Sequence, residues 1–139
     1  MPNVVFDAST LVGALLKKNS LPEAALLLAR SHDSICLPPA VEAEIRQVFH
    51  RPKFQKYLAN GRIEQILAVL TTAALHFVPT EAVTDCRDRK DNKYLELALA
   101  AGAATIIASD EDLLVLDPWR GVRILTPAAY VDRFAPAAP

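Results

Sequence analysis

The chain has 139 residues, of which 52% are hydrophobic and 22% are charged, and its formal net charge is −1. This composition excludes a largely disordered protein, because enough apolar side chains are present to build a core. The nearly balanced charge also excludes a protein that binds nucleic acid through a uniformly basic surface.

We expect residues 1–134 to form a single domain and residues 135–139, which read APAAP, to form a disordered tail. Cys36 and Cys86 are far apart in sequence and fit no metal-binding spacing, which suits the reducing cytosol. The N-terminus carries no basic leader, and the longest run without Asp, Glu, Lys, Arg or His, residues 97–109, is too short to span a bilayer. The sequence therefore predicts a cytoplasmic protein that makes no contact with a membrane.

Short apolar segments alternate with helical patterns along the whole chain. The five predicted strands are residues 3–7, 34–37, 76–78, 104–108 and 122–125. Helices are predicted from Ser9 or Thr10 to about residue 18, from Ser20, from about Ala40, over 52–58, from Ile63, over 92–101 and after Thr126. Asn60-Gly61 is a predicted turn, and Gly102 a predicted helix end. This alternation predicts an α/β fold with a parallel sheet covered by helices on both faces.

Carboxylates directly follow two of the predicted strands. Asp7 ends the first strand, and Asp110 lies just beyond the fourth. Because the carboxyl ends of parallel strands meet at one edge of a sheet, both side chains are expected where α/β proteins bind ligands. Asp91 begins a helix near that edge. Clustered carboxylates raise one another's pKa, and a hard cation such as Mg²⁺ or Mn²⁺ relieves the repulsion.

Each acidic residue also has a simpler explanation. Asp91 alone is typical of a helix cap, while Glu111 and Asp112 suit the first turn of a helix, where they compensate its dipole. Asp7 is harder to explain in this way, because a carboxylate that closes a buried Val-Val-Phe strand rarely helps folding. The repeated arrangement of a strand followed by Asp predicts a divalent cation site suited to phosphodiester hydrolysis.

Glu42 and Glu44 lie on opposite flanks of the apolar stripe of the third predicted helix, and helical periodicity does not choose between them. A basic segment without acidic residues follows: Arg46, Arg51, Lys53, Lys56 and Arg62. One interpretation is a solvated helix face. The alternative is a rim that contacts phosphates, with Phe54 and Tyr57 stacking on bases.

Four blocks of the sequence, VVFDASTLVGALL, EIRQVFHRPKF, DRKDNKYLELALAAGA and IIASDEDLL, together resemble the PIN-domain family. The likeness covers roughly residues 3–130, with the blocks in the family's order, and it is strongest to the VapC-like toxins of toxin–antitoxin modules. The departure is Arg89-Lys90, where relatives often have proline or an acid.

This resemblance implies a metal-dependent endoribonuclease with a three-layer fold and a five-stranded parallel sheet in the order 3-2-1-4-5. It selects Glu44 over Glu42. The implied metal-binding and catalytic residues are Asp7, Glu44, Asp91 and Asp110, with Asp112 as an accessory ligand of Mg²⁺ or Mn²⁺. The implied supporting residues are Ser9, Ser109 and Asp88. The resemblance further implies a homodimer, an RNA substrate and inhibition by a cognate antitoxin protein.

Two alternatives to a toxin ribonuclease remain open. VVFDASTLV also resembles the nucleophile block of haloacid-dehalogenase-type phosphatases, in which Asp7 would form an aspartyl-phosphate. That family usually has a second Asp where Ser9 stands, and it needs a catalytic lysine. The other alternative is a catalytically inactive PIN-like module that binds RNA or an antitoxin. Inactive members usually lack one or more of the four acids, all of which are present here.

Overall fold

A computed structural model of the chain describes residues 2–58 and 61–135. Its strands are β1 (Asn3–Phe6), β2 (Ser34–Cys36), β3 (Thr105–Ile107) and β4 (Arg123–Leu125). Its α-helices are α1 (Ala8–Leu16), α2 (Leu21–His32), α3 (Pro39–Phe49), α4 (Arg62–Ala73), α5 (Asn92–Ala101), α6 (Glu111–Leu114) and α7 (Pro127–Asp132). Two 3₁₀ helices span Pro52–Tyr57 and Arg89–Asp91. Of the predicted turn and tail, Asn60 and residues 136–139 lie outside the described residues.

The four strands form one parallel sheet in the order β2-β1-β3-β4. Val4 of β1 pairs with Ile35 on one side and with Thr105 on the other. Successive residues of a strand point to opposite faces of the sheet, and Val4, Val5 and Phe6 are all buried. Helices therefore cover both faces around β1, as the α/β prediction requires.

The third of the five predicted strands, residues 76–78, is wrong, and the sheet has four strands among the described residues. Only Leu75 pairs with the sheet, through a single parallel bridge to Cys36 and a 2.9 Å hydrogen bond from its N–H to the carbonyl of Ile35. Val78 is 83% exposed, and Pro79 has no N–H with which to continue a ladder. The chain thus contacts the edge of β2 at Leu75, one residue before the predicted strand, and then leaves the sheet. The order predicted for the other four strands is confirmed.

Local sequence signals account for most of the helix ends. Ser20 caps α2 by accepting a hydrogen bond from the N–H of Glu23 at 3.3 Å, and Pro22 lies in the first turn. Gly102 ends α5 with φ of 60°, a left-handed conformation that glycine adopts without a Cβ clash. The predicted helix over 92–101 is confirmed.

No described helix is both long enough and apolar enough to pass through a bilayer.

The order of the parallel strands determines which residues meet at the carboxyl edge of the sheet. β1 and β3 are parallel neighbours, so the residues that follow them, Asp7 and the segment from Ala108 to Asp110, emerge on the same side.

Candidate metal centre

Asp7 is a buried carboxylate, 2% exposed, that ties the end of β1 to two other segments. Its Oδ1 accepts a hydrogen bond from the backbone N–H of Thr10 at 2.8 Å, and its Oδ2 accepts one from the backbone N–H of Ser109 at 3.0 Å. The first bond makes Asp7 the N-cap of α1, so the prediction of Ser9 or Thr10 as the cap is wrong. The second bond holds α1 against the segment that follows β3.

The two predicted supporting serines have different surroundings. Ser109 lies with its Oγ 2.8 Å from Oγ1 of Thr10, which gives a second link between α1 and the end of β3. Ser9 is exposed and lines the cleft described below. Ser109 therefore joins two elements, whereas the hydroxyl of Ser9 is accessible to a ligand.

Three carboxylates meet near Asp7, and an oxygen of each lies within 4.8 Å of the others: Asp88, Asp91 and Asp110. Asp88 precedes the 3₁₀ helix that ends at Asp91, and residues three apart in such a helix lie one above the other. Asp110 caps α6, its Oδ1 accepting a hydrogen bond from the N–H of Asp112 at 2.9 Å. Asp88, predicted as a supporting residue, is a member of the cluster itself, and its Asp-x-x-Asp spacing on a short turn is the sequence signal for it.

Asp91 is the least satisfied member of the cluster. Its side chain caps no helix, and its Oδ2 is buried without a hydrogen-bond partner among the described residues. Burial raises the pKa of Asp91, and together with the hydrogen bond and charge of Asp110 and the charges of Asp88 and Asp7 it brings the value to about 7. A simple capping role therefore does not account for this residue. An unpaired buried oxygen among carboxylates fits a hard divalent cation, which prefers oxygen ligands and supplies the missing positive charge.

The cluster lines an open cleft of about 520 Å³ at the carboxyl edge of the sheet. Five carboxylates and three cationic side chains face it: Asp7, Glu44, Asp88, Asp91, Asp110, Arg51, Lys90 and Lys93. The predicted approach of Asp7 and Asp110 is therefore seen in the structure. Lys90 and Lys93 were not identified as site residues from the sequence, although both stand beside Asp91 in the chain.

Glu44 and Asp112 lie apart from the three clustered carboxylates. Glu44 reaches the cleft from α3, but its carboxylate forms an ion pair with Lys93 of α5. Asp112 does not line the cleft, and its carbonyl accepts a weak 3.4 Å hydrogen bond from the Sγ of Cys86. Their roles as metal ligands stay predictions.

The five residues of the predicted basic rim have different partners, and two of them form ion pairs. Arg46 binds Glu42 and Glu64, and Arg62 binds Glu23 of α2. Lys53 and Lys56 lie over the rings of Phe54 and Tyr57, which pack against the core. Of the five predicted residues, Arg51 alone lines the cleft. Contact of the other four with RNA stays a prediction.

Comparison with known proteins gives two matches. A family model described as "PIN domain" matches residues 3–112. An uncharacterized protein of Methanocaldococcus jannaschii, MJ1680, is 32% identical over 141 aligned positions, which cover 94% of this chain and 90% of that protein. The matched family region contains all three clustered carboxylates.

Proposed function

The chain belongs to the PIN domain family, whose members have nuclease-type activity, and on this premise we propose that it is a metal-dependent endoribonuclease. The observation that carries the proposal is the buried Oδ2 of Asp91, which has no partner among the described residues although two further carboxylates lie within 4.8 Å. Burying such an oxygen unpaired is costly, so its retention is best explained by a ligand that is a cation.

Asp88, Asp91 and Asp110 would hold the cation, and Mg²⁺ or Mn²⁺ suits a set made only of carboxylate oxygens. When bound, such an ion neutralises charge that develops on a phosphate group and activates water for attack on phosphorus. Asp7 and Glu44 complete the acidic site that the family resemblance implies, and Asp112 is the accessory acid. Asp7 orders the site through its two backbone hydrogen bonds, which fix α1 against the segment containing Asp110.

The surrounding side chains are suited to a nucleic acid strand. Arg51 is exposed at the cleft and offers a planar guanidinium that forms paired hydrogen bonds with phosphate oxygens. Ser9 presents a hydroxyl to the same space. Lys53, Lys56, Arg46 and Arg62 are candidates for weaker contacts farther along the strand. RNA is the proposed substrate, because the sequence blocks are most similar to those of toxin ribonucleases.

The biological role follows from the same resemblance. We propose a cytoplasmic toxin that acts as a homodimer and is inhibited by a cognate antitoxin protein. The phosphatase alternative is disfavoured by the environment of Asp7, which is 2% exposed and has both carboxylate oxygens engaged by backbone N–H groups. An inactive binding module would have no reason to retain the unpaired oxygen of Asp91.

The test is cleavage of a mixed pool of transfer and ribosomal RNA by the purified protein in Mn²⁺, beside an EDTA control. Asp91→Asn keeps the shape of the side chain while it removes the charge, and should abolish discrete fragments. Asp132→Asn, on the exposed surface of α7, is the matched control and should cut like the wild type. Cleavage that persists in EDTA or in Asp91→Asn would overturn the proposed mechanism.

A further inference from the structure

Three cationic side chains from different parts of the chain line the cleft around the carboxylate cluster. Arg51 follows α3, Lys90 lies in the second 3₁₀ helix, and Lys93 lies in the first turn of α5. Five carboxylates on the same lining leave the cleft with a formal excess of two negative charges. A nucleic acid strand is itself an anion, so its approach to the carboxylates depends on these cations.

Lys93 is the cation that the fold holds in place. Its Nζ forms an ion pair with Glu44 and lies 5.3 Å from the centroid of the Tyr94 ring. That ring is 2% exposed, and its hydroxyl oxygen accepts a hydrogen bond from the N–H of Ala8 at 2.9 Å. The ammonium group is therefore directed into the cleft two residues after Asp91, between a fixed ring and a carboxylate.

The other two cations of the cleft are not held in this way. The side chains of Arg51 and Lys90 are exposed and make no ion pair or hydrogen bond with any other described residue. They are able to follow a flexible strand, whereas Lys93 offers one defined contact. A set of one fixed and two adaptable cations suits several phosphates of one strand better than a single small phosphate ester.

Glu44 pairs with Lys93 and is not one of the three carboxylates whose oxygens lie within 4.8 Å of one another. The pair is accessible to solvent, with 42% of the Glu44 side chain and 25% of the Lys93 side chain exposed. Solvent-exposed ion pairs contribute little to stability, so a phosphate can replace the Glu44 carboxylate as the partner of Lys93 at small cost.

We propose that Lys93 binds a backbone phosphate of the substrate strand, and that Glu44 is its ion-pair partner in the absence of nucleic acid. The inference rests on the proposed nuclease function and specifies which side chain of the cleft holds the strand.

The first measurement is the affinity of the full chain for a labelled single-stranded RNA over a series of KCl concentrations. It is made in Ca²⁺, with gel electrophoresis to verify that the RNA stays intact. Each phosphate contact to a single strand contributes about 0.7 to the slope of log affinity against log salt. Lys93→Gln should lower the slope by about that amount, and Lys93→Arg should restore it. Lys17→Gln, at the far end of α1, is the matched control and should leave the slope unchanged.

The second measurement is the rise in melting temperature that Mn²⁺ produces, which reports metal binding without catalysis. Lys93→Gln should show the same rise as the wild type. Glu44→Gln frees the ammonium and should bind the RNA at least as tightly as the wild type.

The two proposals fail in different ways. An unchanged salt slope in Lys93→Gln, or loss of the Mn²⁺ effect in Lys93→Gln, overturns this inference alone. A wild-type protein that binds no RNA, or that gains no stability from Mn²⁺, overturns the proposed function and the inference with it.

Discussion

At the residue scale, Asp91 is placed where a carboxylate weakens the fold unless something compensates its charge. Its Oδ2 is buried and unpartnered among the described residues, and Asp88 and Asp110 lie beside it. Such an arrangement of carboxylates lowers the stability of the folded protein, and it is typical of functional sites. Two predictions follow from this arrangement, one for a substitution and one for pH.

Asp91→Asn should raise the melting temperature of the metal-free protein at pH 8, because the neutral amide removes repulsion among neighbouring carboxylates. The same variant should lose the stabilisation that Mn²⁺ gives to the wild type. Thermal unfolding in EDTA and in Mn²⁺ measures both effects, with Asp132→Asn as the surface control. A metal-free Asp91→Asn protein that melts below the wild type would contradict the prediction.

The contribution of Asp91 to the stability of the metal-free protein should fall as pH rises from about 4 to about 7. The pKa of Asp91 is raised to about 7 in the fold from its ordinary value near 3.8, so in this window the folded protein keeps a proton that the unfolded chain has lost. The stabilisation is complete below the lower pKa and is lost as pH passes the higher one. Urea unfolding at several pH values should give slopes of stability against pH that differ between the wild type and Asp91→Asn by this contribution. Equal slopes would show that Asp91 does not titrate in this way.

At the scale of elements, the local patterns predicted most of the helices and strands but not the contacts between them. The β-branched run at Thr105–Ile107 and the glycine after α5 are signals within a few residues, and both predictions held. Phe77 and Val78 are apolar too, yet this segment diverges from the sheet, because a strand also needs a partner edge along its length.

Some contacts of the candidate site could likewise be predicted from patterns in the chain, and others could not. That Asp7 and Asp110 approach each other follows from the order of parallel strands, which a chain pattern can suggest. The pairing of Glu44 with Lys93 joins residues 49 positions apart, and no local spacing indicates it. No local pattern in the sequence indicates the hydrogen bond that Asp7 accepts from the N–H of Ser109, 102 positions away, either. Those contacts decide which acids are free to hold a cation.

Asp7→Asn should destabilise the protein by about 1–3 kcal/mol, the cost of a buried polar group without its partner. Both oxygens of Asp7 accept backbone hydrogen bonds, so one NH₂ group of asparagine would face an N–H donor at Thr10 or Ser109. Urea unfolding in EDTA tests this separately from activity. A fully stable Asp7→Asn protein would show that these two bonds matter little, and any loss of cleavage would then be a direct effect on chemistry.

At the scale of the whole molecule, the C-terminal part completes the fold although it lies beyond the family match, which ends at residue 112. β4 pairs with β3, and α7 packs against α2. Tyr130 of α7 is fully buried, and its hydroxyl donates a hydrogen bond to the carboxylate of Asp33 at the end of α2. The last helix is thereby attached to an element formed almost 100 residues earlier.

Tyr130→Phe should lower the free energy of unfolding by about 1 kcal/mol, since it removes that hydrogen bond and keeps the ring. RNA cleavage should be unchanged, because Tyr130 does not line the cleft. Urea unfolding measures the difference, with Tyr57→Phe as the control, a substitution at a half-buried ring. Equal stability of Tyr130→Phe and the wild type would show that packing alone holds α7.

The position of β4 also has a consequence for solubility. Thr105, Ile106 and Ile107 form an uncharged, β-branched strand whose second edge is covered only by Arg123–Leu125. A chain cut after the family match would expose that edge, and an open apolar strand is a template for pairing with other molecules. β4, which carries Arg123 at its start, therefore protects the protein from aggregation through β3 while it extends the sheet.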